Sequence, residues 1–123
     1  MKYLCMVVVD ETKLSALSPG ESQVSDDESF DYDETLRQGG HLIAAQALGY
    51  SNTAKTIRIR DGKTMVTDGP FAETREVLGG FILIDAKDLD EAVRLASRIP
   101  AIRLGGVEVR SVKELTSSKS GSK

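Results

Sequence analysis

Apolar residues along the chain follow two periods, which together predict both strands and helices. Residues Tyr3 to Val9 are apolar at odd and even positions and rich in valine, which is typical of a central strand covered on both faces. Phe81 to Ile84 has the same character. From Asp88 to Ile99 the apolar residues recur three and four apart, which predicts a helix capped by Asp88 with Glu91 as its capping-box partner and stopped by Pro100.

Turn residues define the segments between the first strand and the centre of the chain. Lys13 to Gln23 contains Pro19-Gly20 and is predicted to be a loop with one short helical turn. Asp26 to Glu34 carries six acidic side chains, and the pair Tyr32 and Leu36 predicts that this segment is an amphipathic helix ending at Gly39-Gly40. His41 to Gln46 is predicted to be the second strand.

A hairpin and a final strand complete the pattern. Thr56 to Arg60 and Lys63 to Thr67 flank Asp61-Gly62, a pair suited to the positive φ angles of a type I′ turn. Gly106 to Val112 alternates apolar and polar residues as a last strand. Residues 116–123 are serine, lysine and glycine after Thr116, which predicts a disordered tail behind a single domain at 1–115.

The order of elements predicts an α+β fold of the ferredoxin-like αβ-plait type. It is a βαββαβ unit with an inserted hairpin, whose antiparallel sheet carries two main helices on one face. Strands that are apolar on both sides would leave the second face too apolar for water. We therefore expect a homodimer of the dimeric α/β barrel type, with a cleft for a small-molecule ligand at the rim of the joined sheets.

Composition and charge restrict the classes of partner. The chain has 123 residues, enough for one core, and its net charge of -3 and pI near 5.2 argue against direct nucleic-acid binding. The single cysteine, Cys5, lies in an apolar run, so we expect a reducing compartment and an unreactive thiol. The apolar stretch Leu4 to Val9 is too short to span a membrane, so we expect a cytoplasmic protein.

The segment from Met65 to Leu78 reads MVTDGPFAETREVL and resembles the DGPF signature of the YCII-related family. The opening MKYLCMVVVDE, the segment TIRIRDGK and the helix DLDEAVRLASRIP are similar to that family too, so the resemblance covers roughly residues 1–113. It implies a ferredoxin-like plait, usually a dimer with packed sheets. Most DGPF proteins have no assigned activity, and some occur beside or fused to sigma factors of the extracytoplasmic type.

The wider YCII family includes a dehydrochlorinase-type enzyme thought to use a histidine and an aspartate. Relatives typically place that histidine in the first helix, whereas residues 1–40 here contain none. The only histidine, His41, lies at the start of the second strand. The acidic first helix also differs from the alanine-rich helix usual in the family.

The residues of the motif have a structural and a functional interpretation. In the first, Asp68 caps a sharp Gly69-Pro70 turn, Phe71 plugs the core, and nearby charges form local ion pairs. In the second, the carboxylates of Asp68, Glu73 and Glu76 converge at the mouth of the dimer cleft, where partial burial would raise a carboxylate pKa enough for general acid or base catalysis. The candidate catalytic residues are His41, Asp68 and Glu73, and the candidate substrate-binding residues are Phe71, Arg75 and Glu76. No spacing in the sequence suits a metal site or a phosphate loop, and no cofactor is expected.

Three functional hypotheses follow. The first is a cofactor-free lyase or isomerase that acts on a small anionic or aromatic molecule. The second is a non-catalytic ligand-binding or regulatory module linked to transcription through a sigma factor. The third is a binding surface on the acidic first helix, whose simpler interpretation is a solvated helix face.

Overall fold

The computed structural model describes residues 1–119. Nine helices and strands and two short 3-10 segments follow one another in this range. They are β1 (Lys2–Asp10), α1 (Glu11–Ser15), α2 (Pro19–Gln38), β2 (Leu42–Ala47), the 3-10 segment Ser51–Thr53, β3 (Lys55–Arg60), β4 (Lys63–Asp68), β5 (Glu76–Asp85), α3 (Leu89–Ala96), the 3-10 segment Pro100–Leu104, and β6 (Gly105–Ser111).

The main sheet has four strands in the order β2-β5-β1-β6, and every neighbouring pair is antiparallel. This order, with α2 and α3 in the two crossover connections, is the ferredoxin-like plait, so the predicted fold class is confirmed. Strands β3 and β4 form a separate two-stranded sheet. We call this β3–β4 hairpin, residues 55–68, the arm.

The core lies between one face of the sheet and helices α2 and α3. Alternate residues of β1 and β5 meet the buried stripe of each helix because side chains on a strand alternate between faces. The buried set is Tyr3, Cys5, Val7, Val9, Tyr32, Leu36, Ile82, Ile84, Ala86, Ala92, Ala96 and Ile99. The hydroxyl of Tyr32 donates a hydrogen bond to the Leu95 carbonyl oxygen at 2.5 Å, which ties the two helices together.

The opposite face of the sheet is also apolar along its two central strands. Cross-strand pairs place Leu4 beside Leu83 and Met6 beside Phe81, and all four are half-buried. Leu78, which pairs with Val8, is 48% exposed. The expectation that both sides of these strands are apolar is confirmed, and we call this surface the open face.

The predicted loop at Lys13 to Gln23 is wrong, because two helices occupy most of it. Pro19 is the first residue of α2 and not part of a turn, since the fixed φ of proline suits the first helical position and needs no N–H partner there. The Ser18 hydroxyl accepts a hydrogen bond from the Glu21 amide, and the Glu21 carboxylate accepts one from the Ser18 amide. This capping box starts the helix seven residues before the predicted acidic segment. Its predicted end at Gly39-Gly40 is confirmed.

Two other elements differ from their predicted bounds by more than one residue. Strand β5 begins at Glu76, five residues before the predicted start, and Gly79 forms a bulge because Val7 pairs with Gly80 while Val8 pairs with Leu78. Helix α3 ends at Ala96, three residues before its predicted end at Ile99. Asp88 caps α3 as predicted, but the Glu91 carboxylate accepts from the Lys87 amide and not from that of Asp88.

The arm confirms the predicted hairpin. Asp61 and Gly62 have φ angles of 50° and 73°, the positive values that a type I′ turn requires. Almost every residue of the arm is exposed, including Ile57, Ile59 and Val66 on one face. The arm therefore projects from the domain with an uncovered apolar surface.

The predicted tail at 116–123 lies partly outside the described residues, and within them 116–119 are exposed. No helix in residues 1–119 is both long enough and apolar enough to cross a membrane.

Candidate functional site

The loop from Asp68 to Glu76 leaves the base of the arm and enters β5. Gly69 has a φ of 98°, a conformation that favours glycine, so the expected sharp turn is present. Its amide donates to the Ala54 carbonyl oxygen at 2.8 Å, and its own carbonyl oxygen accepts from the Thr56 hydroxyl at 2.8 Å. These bonds fix the beginning of the loop to the first strand of the arm.

Asp68 and Phe71 do not take the structural roles expected of them. The Asp68 carboxylate forms an ion pair with Lys55 across the arm and caps no turn, because the register of β3 and β4 places the two side chains opposite each other. Phe71 is 71% exposed and does not plug the core. Instead the Arg58 guanidinium lies 4.0 Å from the centre of its ring, a cation–π contact that an exposed aromatic side chain can make.

Arg75 reaches the end of β1. Its Nε donates a hydrogen bond to Oδ2 of Asp10 at 2.9 Å, and the Thr12 amide donates to Oδ1 of the same carboxylate at 2.9 Å. Asp10 is only 5% exposed, whereas the Arg75 side chain is 75% exposed. The expected local ion pairs of the loop are therefore replaced, in residues 1–119, by a long-range pair to a buried carboxylate.

The pKa of Asp10 reflects opposing effects. Burial raises the pKa of this carboxyl, but the Thr12 amide, the Arg75 guanidinium and the Lys13 amide outweigh it and hold the pKa below its usual range. Asp10 is therefore an anion at neutral pH. Its position and charge keep the Arg75 guanidinium oriented.

A second carboxylate fixes the neighbouring segment. Glu11 follows Asp10 directly and accepts hydrogen bonds from the Ser51 amide, at 2.7 Å, and from the Ser51 hydroxyl. These contacts join the end of β1 to the connection that leads into the arm. Glu11, Ser51 and Asp10 were missed by the interpretation of the sequence. The signal that could have found them is the pair of acids immediately after a buried strand.

His41 lies at the other end of the sheet from this loop. Its Nδ1 is 2.8 Å from the Asp85 carbonyl oxygen, and its own carbonyl oxygen accepts from the Asp85 amide. Arg75 precedes the first residue of β5 and Asp85 is its last, so the two ends are separated by nine residue steps of about 3.3 Å, roughly 30 Å. Within one subunit, His41 does not approach the Asp68 to Glu76 loop.

Glu73 and Glu76 remain with Arg75 in the loop. Both are exposed, and Glu76 is the residue of β5 that pairs with Asp10. The Thr74 hydroxyl donates to the Glu76 carbonyl oxygen at 2.6 Å, which shapes the entry into the strand. The loop therefore carries two carboxylates, those of Glu73 and Glu76, within two residues of the oriented Arg75 side chain.

Cys5 is buried, and burial raises the pKa of its thiol to about 11. Residues 1–119 contain no group of three His, Cys, Asp or Glu side chains that could hold a metal ion. A groove of about 550 Å³ lies on the helical side, between α2 and the 3-10 segment at Pro100. It is lined by Leu17, Val24 and Leu104 and by the Arg103–Glu28 ion pair, and it includes no residue of the loop.

Comparisons with known proteins give three findings. A family model described as a YCII-related domain matches residues 1–116. An uncharacterized protein of Rhizobium meliloti (strain 1021) is 38% identical over 96 residues, which cover 78% of this chain and 77% of that relative. A solved structure of the 5-chloro-2-hydroxyhydroquinone dehydrochlorinase of Burkholderia phenoliruptrix AC1100, in complex with 2,5-dihydroxybenzoquinone, is 17% identical. It covers 92% of this chain and 94% of its own, with a TM-score of 0.47.

Proposed function

This chain belongs to the YCII-related family, and from that premise we propose that it is a cofactor-free lyase or isomerase acting on a small organic anion. The resemblance carried by the DGPF segment is thereby confirmed. The observation that supports the proposal is the Arg75 guanidinium, which a buried Asp10 carboxylate holds by Nε alone.

Arg75 is suited to bind a carboxylate or phenolate oxygen. A guanidinium has five N–H donors in a fixed plane, and Asp10 occupies only the one on Nε. Its four terminal N–H donors make no hydrogen bond within residues 1–119, and the side chain is mostly exposed. Terminal N–H groups in this geometry form two parallel bonds to a carboxylate, which fixes both the position and the orientation of an anionic substrate.

The proposed acid–base groups are the carboxylates of Asp68 and Glu73. In an isomerase without a cofactor, a side chain removes a proton from one carbon and returns it to another atom of the same molecule. In a lyase, the electron pair left on that carbon forms a double bond and expels a leaving group from the neighbouring carbon, and the proton passes to the leaving group or to water. Glu73 lies two residues from Arg75 and is our first choice for that base. Phe71 is proposed as the apolar wall of the cleft, and Glu76 as a second contact to the substrate. His41 takes part only if a second copy brings it to the loop.

The open face supports a homodimer in which two sheets pack against each other. An apolar surface of this kind, made by Leu4, Met6, Phe81, Leu83 and Leu78, is usually covered by another chain. Sedimentation at micromolar protein tests this proposal, and a stable single subunit would overturn it. The free thiol of buried Cys5 supports a reducing compartment such as the cytoplasm.

The test of the function uses small probe anions. We expect benzoate and succinate to shift the Arg75 Nε–H resonance in NMR spectra, whereas neutral benzamide should not. Arg75→Gln lacks that resonance, so its binding is measured by calorimetry and should be weaker by about tenfold or more, the loss expected for a charge-assisted hydrogen bond. The control is Arg103→Gln, because Arg103 is also exposed and also paired with a carboxylate. Equal binding by the two variants would refute the assignment.

Turnover needs a separate measurement. In D₂O a lyase or isomerase of this type should exchange an acidic C–H proton of its substrate, and Glu73→Gln should abolish that exchange. A panel of keto acids and hydroxylated aromatic acids provides the probes. Anion binding without exchange across the panel would favour the alternative, a non-catalytic binding module of the kind linked to sigma factors.

A further inference from the structure

The acidic helix α2 has an exposed aromatic residue at the centre of its charge. Phe30 is 75% exposed. Its four neighbours on the helix surface, three and four residues away in each direction, all carry carboxylates: Asp26, Asp27, Asp33 and Glu34. This segment of α2 therefore differs from a simple solvated face of charges, because an aromatic side chain surrounded by polar groups is a common contact point in protein interfaces. We call these five residues the Phe30 cluster.

The carboxylates of the cluster are only partly satisfied within the subunit. Glu34 pairs with Arg37, and Asp27 accepts a hydrogen bond from the Gln23 side chain. Asp26 and Asp33 have no ion-pair partner in the described part of the chain. Burial raises the pKa of Asp33, only partly offset by Arg37, so a further cation beside it would be favourable.

The arm carries the complementary charge. The register of its two strands places Arg58, Arg60 and Lys63 on one face, opposite the face of Ile57, Ile59 and Val66. All three cations are exposed, and none makes an ion pair in residues 1–119, although Arg58 stacks on Phe71. Asp61, in the turn, directly follows Arg60 in the sequence and carries an opposing charge. A two-stranded hairpin is marginally stable alone, so a projecting arm gains stability from docking.

We propose that the cationic face of the arm docks on the Phe30 cluster of a second copy of this chain. One chain supplies both surfaces, so a two-fold arrangement would form the contact twice. Charge complementarity selects this occupant: a nucleic acid would suit the arm but would be repelled by α2, where seven acidic residues face one arginine. Arg60 and Lys63 lie next to the turn at the tip of the arm, so they would reach furthest from their own subunit. Their charged groups would lie over the Phe30 ring and beside the carboxylates of the Phe30 cluster.

Cross-linking with a carbodiimide tests the contact directly, because the reagent joins an ammonium to a carboxylate in contact with it. Equal amounts of ¹⁴N- and ¹⁵N-labelled full chain are mixed before treatment. We expect peptides that join Lys63 to Asp26, Asp27 or Glu34 with mixed isotope labels, which proves that two copies are linked. Lys63→Ala should remove these peptides, and Lys87→Ala should not. Links within one copy only, or none from Lys63, would overturn the proposal.

Charge reversal provides an independent measurement. Arg60→Glu with Lys63→Glu should weaken self-association in sedimentation by about tenfold, as should Asp26→Lys with Asp27→Lys. A 1:1 mixture of the two reversed proteins should restore it, because each supplies the surface that the other lacks. Raising NaCl from about 0.1 M to about 1 M, which shortens the Debye length from about 10 Å to about 3 Å, should also weaken it. Unchanged association in the reversed variants, or no restoration in the mixture, would refute the contact.

Discussion

Two adjacent glycines at the start of β6 give a sharp test of how closely the sheet is packed. A Cβ added at Gly105 would lie 2.1 Å from the Val8 carbonyl oxygen and 2.9 Å from the Val8 carbonyl carbon. A Cβ added at Gly106 would meet nothing within 4 Å. Gly105→Ala and Gly106→Ala therefore add the same methyl group to neighbouring residues of the same strand, and only the first collides.

The size of the effect follows from what must move. A carbon and an oxygen approach to about 3.3 Å at closest, so the alanine methyl and Val8 must separate by roughly 1 Å. The obstacle is the backbone of the central strand β1, so no side chain can rotate away. Overpacking of this kind costs about 1–3 kcal/mol, and we expect Gly105→Ala near the upper end. Gly106→Ala should be neutral or stabilise by about 0.5–1 kcal/mol, because alanine loses less backbone conformational entropy on folding than glycine does.

Urea denaturation followed by circular dichroism measures both variants. With a slope of about 1–3 kcal/mol per molar urea, a loss of about 3 kcal/mol lowers the midpoint for Gly105→Ala by 1 M or more. The midpoint for Gly106→Ala should stay the same or rise. Equal midpoints for the two variants would mean that β6 and β1 do not approach as closely as described.

Three further predictions concern stability. Ser18→Ala removes half of the capping box of α2 and should cost about 1 kcal/mol in the free energy of unfolding, measured in urea. Leu36→Ala empties a site that is only 2% exposed and should cost about 2–5 kcal/mol, whereas Leu48→Ala at a 46% exposed position should stay within about 0.5 kcal/mol. Asp10 has a lowered pKa, so its contribution is fully present above the unfolded pKa near 4 and is lost as pH falls through the lower folded pKa. In thermal melts from pH 6 to about pH 2, the melting temperature should fall less for Asp10→Asn than for the natural protein. An equal fall in the two proteins would contradict the Asp10–Arg75 pairing.

The order of elements could be predicted because its signals are local. The turn at Asp61-Gly62 depends only on the φ preferences of two residues. The cap at Asp88 depends only on the amide of Glu91, three residues later. The start of α2 could not be predicted from Pro19-Gly20, because this pair fits both a turn and the beginning of a helix. The choice depends on the Ser18 and Glu21 side chains, which close the capping box.

The site was less predictable because its contacts are long-range. Arg75 pairs with Asp10, which is 65 residues away, and no local rule connects them. The distance between His41 and the loop depends on the length of β5, and the apolar pattern predicts only the part of this strand that begins at Phe81. Five more residues of strand carry the loop to the opposite end of the sheet.

The bulge at Gly79 also determines how a chain of this kind can change in length. Because Val7 pairs with Gly80 and Val8 with Leu78, deleting residue 79 would leave every pairing of the two strands in place. The deletion would instead remove a local bend and part of the twist of β5. The strand would then deliver the following loop toward Asp10 at a different angle. Loss or gain of one residue here is therefore a route by which the binding loop can be re-aimed without altering any side chain that it carries.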